Sequence, residues 1–189
     1  VHEKWDVNTA ILSGDAMLIK AYQCLDNYPS DIFQKLTQLL SKTAIEVCEG
    51  QQYDLDFETS SSVSQEDYIE MIRLKTAVLV GCALKMGAII GKASPHEQEA
   101  IYDFGIQLGL AFQLQDDYLD TFGDEKTFGK KIGGDILENK KTILYHLALK
   151  GGEETHINAL QTLLGGDHPI DGVEKINKVK SLFEVTAAI

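Results

Sequence analysis

Apolar residues recur at three- and four-residue intervals along nearly the whole chain. The segments are "NTAILSGDAMLIKAYQCL", "IFQKLTQLLSKTAIEVCEGQQYDL", "QEDYIEMIRLKTAVLVGCALKMGAIIG", "IYDFGIQLGLAFQLQDDYLDTF", "ILENKKTILYHLALK", "EETHINALQTLL" and "GVEKINKVKSLFEV". None alternates with period two, so the spacing predicts helices and no strands. Pro29, Pro95 and Pro169 each stand at or just before a predicted helix start, where a missing amide hydrogen costs least. In "SPHEQ", Ser94 and Glu97 have the spacing of a capping box, with Pro95 in the first turn. The most loop-like stretches are "FETSSSVSQ" and "GGDHP", and no linker or internal repeat divides the chain. The expectation is one all-α domain over residues 1–189.

Composition narrows the function classes. A chain of 189 residues with 44% hydrophobic content is long enough for a sizeable core. Its formal charge of −12 leaves no basic surface to follow a phosphate backbone, so nucleic acid is an unfavourable partner. The apolar runs "TAVLVGCAL" and "MGAII" are interrupted at Gly81, Lys85 and Gly91 before they reach a bilayer-spanning length, and no secretory signal is visible. Cys24, Cys48 and Cys82 are odd in number and far apart, which predicts reduced thiols packed as small apolar side chains in a cytoplasmic protein. The opening "VHEKWDVN" lacks an initiator methionine and reads as the end of a loop; the expectation is a piece of a longer chain.

The unusual chemistry lies in "FQLQDDYLD". Aspartate is a poor helix former, by about 0.6 kcal/mol against alanine, and like charges three or four residues apart repel. Asp116 and Asp120 share a face of the predicted helix, and Asp117 lies about 100° around it. Two readings stand: a solvated acidic face, or carboxylates gathered for a hard cation such as magnesium. Gln113 lies one turn earlier, and "GKKIGGDILENKKT" comes about ten residues later. A magnesium-bridged diphosphate needs both carboxylates for the metal and lysines for the remaining oxygens. Lys130, Lys131, Lys140 and Lys141 taken alone also read as surface charges, and Gly133 and Gly134 as an element boundary. Lys75 and Thr76 interrupt the apolar run of "IRLKTAVLVGCALKMGA", where a lone lysine ordinarily snorkels to water.

The ordered set "ILSGDAMLIKAY", "EGQQYDL", "LKTAVLVGCALKMGAIIG", "FQLQDDYLD" and "GKKIGGDILENKKT" resembles the trans-isoprenyl diphosphate synthases, or polyprenyl synthetases, of the farnesyl and geranylgeranyl diphosphate group. The resemblance covers most of residues 1–149 and the C-terminal portion of such an enzyme. It implies antiparallel helices around a central cavity, with two aspartate-rich motifs facing each other at its mouth. "DDYLD" matches the second motif; the first would lie upstream of "VHEKW" and is not in these residues. By the same resemblance Asp116, Asp117 and Asp120 hold Mg2+, and Asp116, Lys75 and Lys131 serve catalysis. Lys75, Thr76, Gln113, Lys131 and Lys140 bind the allylic diphosphate, and Asp135 steadies a metal-bound water or a lysine. The implied reaction condenses isopentenyl diphosphate with an allylic diphosphate, in a cytoplasmic homodimer without stable membrane insertion.

No other chemistry competes strongly. His2, His96, His146, His156 and His168 are scattered without a partnered nucleophile. Leu79, Ala83 and Met86, at successive turns beyond Lys75, either line the tunnel for a growing prenyl chain or pack in the core. The rival readings are a class I terpene cyclase, whose second metal motif has no match in "GDILENKKT", and a noncatalytic partner subunit of a prenyl synthase. An EF-hand fails in "DLDFETSSSVSQ", where Thr59 replaces the glycine and Gln65 the final glutamate.

Overall fold

The computed structural model describes residues 1–60, 62–124, 129, 131–165 and 170–188; Lys130, His168 and Pro169 lie outside them. Among the described residues all regular structure is helical. The elements are α1 (Val7–Gln23), α2 (Ser30–Thr59), α3 (Gln65–Ile72), a π turn (Arg73–Ala77), α4 (Val78–Ile90), α5 (Pro95–Phe122), a single turn α6 (Gly134–Leu137), α7 (Ile143–Gly151), α8 (Glu154–Leu164) and α9 (Gly172–Val185).

Local chemistry sets the starts. The Ser94 side chain accepts the Glu97 amide while the Ser94 amide donates to the Glu97 carboxylate at 2.7 Å, so the expected capping box opens α5 with Pro95 in its first turn. Ser64 and Asp67 form a second box at α3. Pro29 directly precedes α2.

Helices α2, α4 and α5 form the scaffold. Gly109 faces Ala77 and Gly105 faces Gly81, so sequence numbers rise on one helix as they fall on the other: α4 and α5 are antiparallel. Gly50 of α2 faces Leu74, and Leu36 packs with Ile89, which sets α2 antiparallel to α4 as well. These crossings are close because the side chains are absent. A Cβ on Gly109 would lie 2.5 Å from Ala77 Cα, one on Gly105 would lie 2.6 Å from Gly81 Cα, and one on Gly50 would lie 2.7 Å from the Leu74 carbonyl carbon. The π turn is therefore held between glycines of α2 and α5. Beyond it, α6 to α9 enclose a second core of Ile136, Leu144, Ala148, Leu160, Val179 and Phe183.

Four expectations change. The helix predicted over residues 136–150 is broken: α6 ends at Leu137, Asn139 takes a left-handed backbone (φ 60°), and α7 begins only at Ile143. Asparagine tolerates that conformation, and the helical hydrogen-bond ladder cannot pass through it. Helix α1 buries none of its residues, leaving Ile11, Leu12, Met17 and Ile19 exposed despite their helical spacing. Only Cys82 is buried, whereas Cys24 and Cys48 are exposed. On α4 the candidate tunnel residues separate: Met86 packs on the Leu25–Leu36–Ile89 core, while Leu79 and Ala83 are exposed.

Glycine contacts of this kind are testable. Gly109→Ala forces a methyl group onto the Ala77 backbone and lowers stability by about 1–3 kcal/mol. Gly87→Ala, where nothing lies within 4 Å, raises it by about 0.5–1 kcal/mol because helical glycine is entropically unfavourable. Urea unfolding of the two variants should move in opposite directions; equal shifts would refute the close-crossing account.

Candidate functional site

A cavity of about 320 Å³ opens where α2, α3, the π turn, α5 and the segment after α6 meet. Its carboxylates are Asp54, Glu58, Asp116, Asp117, Asp120 and Asp135, and its ammonium groups are Lys75, Lys140 and Lys141. Phe57, Met71 and Ile72 supply apolar wall. Six anionic groups against three cationic ones leave the lining short of positive charge.

Lys75 comes from the π turn, where the Val78 amide donates to the Arg73 carbonyl five residues back. One extra residue in a turn rotates the side chains beyond it about the helix axis, and π turns recur at functional sites. The Lys75 ammonium meets Asp54 Oδ2 at 2.6 Å, so both line the cavity as an ion pair. Thr76, next in the turn, does not line the cavity: its hydroxyl donates to Gln113 Oε1 at 3.1 Å. The Gln113 amide in turn donates to Asp117 Oδ1 at 3.1 Å, which fixes the orientation of that side chain.

The three aspartates of "DDYLD" have different surroundings. Asp116 is half-buried and faces the cavity. Asp117 is only 4% exposed; beyond Gln113, it accepts a short hydrogen bond from the Tyr68 hydroxyl and is acted on by the Ile143 amide at the start of α7. Burial raises its pKa to about 6, against the lowering effect of the Tyr68 and Gln113 hydrogen bonds. Asp120 is buried against the turn that leads into α6. Its Oδ2 accepts the Asp135 amide at 3.1 Å, and its backbone carbonyl accepts the Gly133 amide at 2.7 Å. Gly133 has φ 84°, a conformation that favours glycine, and this explains one of the paired glycines.

Burial also raises the Asp120 and Asp135 carboxyls above the usual range, and for Asp135 the neighbouring Asp120 charge adds to it. Lys140 lies 3.3 Å from Asp135 and 2.7 Å from Glu138; these anions outweigh the opposing effect of burial and hold its pKa above the ordinary lysine value. Burial pulls the Lys141 pKa down, and its ammonium donates to the Ser60 carbonyl at 2.8 Å.

The structure thus brings together Lys75, Gln113, Asp116, Asp117, Asp120, Asp135 and Lys140. Lys131 is exposed and outside the cavity lining. Sequence reasoning missed Asp54 and Tyr68. Asp54 had a legible signal: with Leu36, Thr43 and Gly50 it falls on the buried stripe of α2, where a carboxylate needs a partner. Tyr68 had none, since an aromatic at helical spacing reads as core.

Oxygen donors of this kind fit magnesium. Magnesium commonly keeps several waters and takes only one or two carboxylates from the protein. Asp116, Asp117 and Asp120 are the carboxylates that line the cavity from α5, and Asp117 is tied to Tyr68 and Gln113.

The raised Asp117 pKa makes a signed prediction. The folded protein takes up a proton at this group that the unfolded chain, with the ordinary value of 3.8, releases earlier. Its contribution to stability is present below the unfolded value and is lost as pH rises through about 6. Asp117→Asn removes that dependence. From about pH 4 to 7, without metal, the variant should gain on the wild type by up to about 3 kcal/mol in urea unfolding. Parallel pH profiles would refute the assignment.

Comparison with known proteins agrees with this geometry. A geranylgeranyl pyrophosphate synthase crystal structure superposes with a TM-score of 0.93 at 53% identity, covering 100% of this chain and 58% of the other. The geranylgeranyl pyrophosphate synthetase of Pyrococcus horikoshii Ot3 gives 0.87 at 33% identity, covering 99% and 57%. The short chain isoprenyl diphosphate synthase of Methanothermobacter thermautotrophicus is 40% identical over 172 residues, 90% of this chain and 53% of that protein. The chain spans about half the length of the curated relatives it matches. Residues 1–184 match the family described as Polyprenyl synthetase, and with the all-helical fold and the carboxylate–lysine cavity on one scaffold, the chain belongs to that family.

Proposed function

We propose that the protein carrying this chain condenses isopentenyl diphosphate with an allylic diphosphate to give a short-chain trans-prenyl diphosphate. The observation that carries the reading is the cavity in which six carboxylates face three lysines beside an apolar wall. An acidic lining with its own lysines suits a ligand that is itself anionic and arrives with a divalent cation. The relatives named as geranylgeranyl and geranylfarnesyl diphosphate synthases support the same substrate class.

In this reading magnesium, when bound, neutralises charge that develops on the leaving diphosphate. Asp116 and Asp120 would hold it, with Asp117 contributing through water or through its neighbours. Lys75 and Lys140 present ammonium groups to the diphosphate oxygens; the diphosphate role that the family resemblance gives Lys131 would need its exposed side chain to turn toward a bound ligand. Gln113 and Thr76 form the hydrogen-bonded pair behind that group.

The allylic carbon–oxygen bond breaks with its electron pair leaving on the diphosphate. The double bond of isopentenyl diphosphate then attacks the cation, and the proton lost from the adjacent carbon passes to the departed diphosphate. Electrostatic stabilisation of the leaving group carries the rate, so no protein nucleophile is needed. Phe57, Met71 and Ile72 offer the apolar surface that a prenyl tail requires.

The assembly proposed is a homodimer in the cytoplasm. Exposed apolar side chains on α1 and α5, including Met17, Phe104 and Phe112, supply surface for a second copy. No helix among the described residues is long and apolar enough to cross a membrane.

A turnover assay of the full-length protein tests the reading, using magnesium, isopentenyl diphosphate and dimethylallyl, geranyl or farnesyl diphosphate as starter. Elongation is expected, and Asp116→Ala should reduce it about a hundredfold or more. Product length fixes the synthase type. A folded full-length protein that elongates none of the starters would favour a noncatalytic partner subunit.

A further inference from the structure

The segment that presents Asp135 and Lys140 to the cavity is held from two sides. On one side is α5, through the hydrogen bonds that the Asp135 and Gly133 amides donate to Asp120. On the other is α9, a helix that contributes nothing to the cavity lining. A Cβ on Gly133 would meet the Ile176 side chain at 2.7 Å, and one on Gly172 would meet Leu137 at 3.1 Å. Between these contacts Lys175, only 7% exposed, donates from its ammonium to Asn139 Oδ1.

Asn139 is the residue in left-handed conformation, and Lys140 is the next in the chain; the Lys140 amide returns to the Asp135 carbonyl at 2.9 Å. The turn that aims Lys140 is thus closed by a backbone bond in front and gripped by Lys175 from behind. Burying an ammonium is costly, and an apolar side chain of similar length would fill the space without that cost. The bond to Asn139 also has a geometric effect, since a charged donor bonds an amide oxygen more strongly than a neutral one and holds it in place.

We propose that Lys175 is a positioning residue of the diphosphate site: its bond to Asn139 sets the turn from which Lys140 and Asp135 reach the cavity. The inference rests on the diphosphate reading above. It makes α9 part of the binding machinery although Lys175 lies 36 residues beyond Asn139 in the chain.

The test uses the full-length protein, with magnesium pyrophosphate titrated by calorimetry and KM measured for each substrate. Lys175→Met and Asn139→Gly should each weaken pyrophosphate binding and raise KM for the allylic substrate about tenfold. KM for isopentenyl diphosphate should stay within about twofold, a split that a general loss of folding would not produce. The double variant should be no weaker than the worse single, and Lys175→Arg should recover most of the affinity. Asn139→Gly leaves the left-handed turn accessible, so with Lys175→Arg it carries the test if Lys175→Met fails to fold. Equal affinity in wild type and variants, or additive losses in the double, overturns the proposal alone. Wild type that binds no pyrophosphate overturns the diphosphate reading and this inference with it.

Discussion

A carboxylate buried where three helices meet constrains everything around it. Asp117 accepts from Tyr68 of α3 and Gln113 of α5 and faces the first amide of α7. Without such donors a buried anion is intolerable, and even with them its pKa lies near 6. Each donor must therefore be presented at the right depth. That requirement ties the register of α3 to that of α5 and fixes where α7 begins. It also explains why Thr76 lies off the cavity wall, since its hydroxyl orients the glutamine that serves Asp117.

The π turn belongs to the same chain of contacts. Tyr68 and Lys75 are seven residues apart on one rod, and both line the cavity. Along an ideal helix that spacing nearly restores the same direction, and the extra residue at Arg73–Ala77 alters the register between them. A π turn is less regular than an α-helical one and needs support. Gly50 and Gly109 give it by letting the α2 and α5 backbones approach from both sides. Packing and chemistry are thereby coupled: the glycines that close the scaffold are the residues that place Lys75 against Asp54.

Much of this was legible in the chain, and the limits have physical causes. Helical periodicity, proline positions and the Ser94 box marked the elements because they depend on neighbours three or four residues away. The break at Asn139 escaped because a left-handed residue leaves no mark on apolar spacing. The exposure of α1 escaped because periodicity shows that a face is apolar and says nothing of what covers it. At the site, the aspartates, Gln113 and Lys75 stood out as polar residues in otherwise apolar helices, whereas Lys140 lies in a polar run and was marked by the family resemblance. Tyr68 did not, because its function is one hydroxyl on an otherwise ordinary core ring. Its partner lies 49 residues away, beyond any local pattern.

The divergence among neighbouring aspartates comes from helix geometry. Asp116 and Asp117 are adjacent in sequence but about 100° apart on α5, so both line the cavity while Asp116 stays half-buried and Asp117 is almost fully buried against Tyr68 and Gln113. Asp120 returns to the direction of Asp116 and is drawn down by the amides that open α6. A short acidic motif thus combines a cavity-facing carboxylate, a packing hub and a loop anchor. The side chains are identical but their surroundings are not: Asp117 accepts from Tyr68 and Gln113, Asp120 accepts the Asp135 amide, and Asp116 lines the cavity. Replacing any one by asparagine tests a different property of the site, which a reading of the motif as a uniform set of metal ligands would not anticipate.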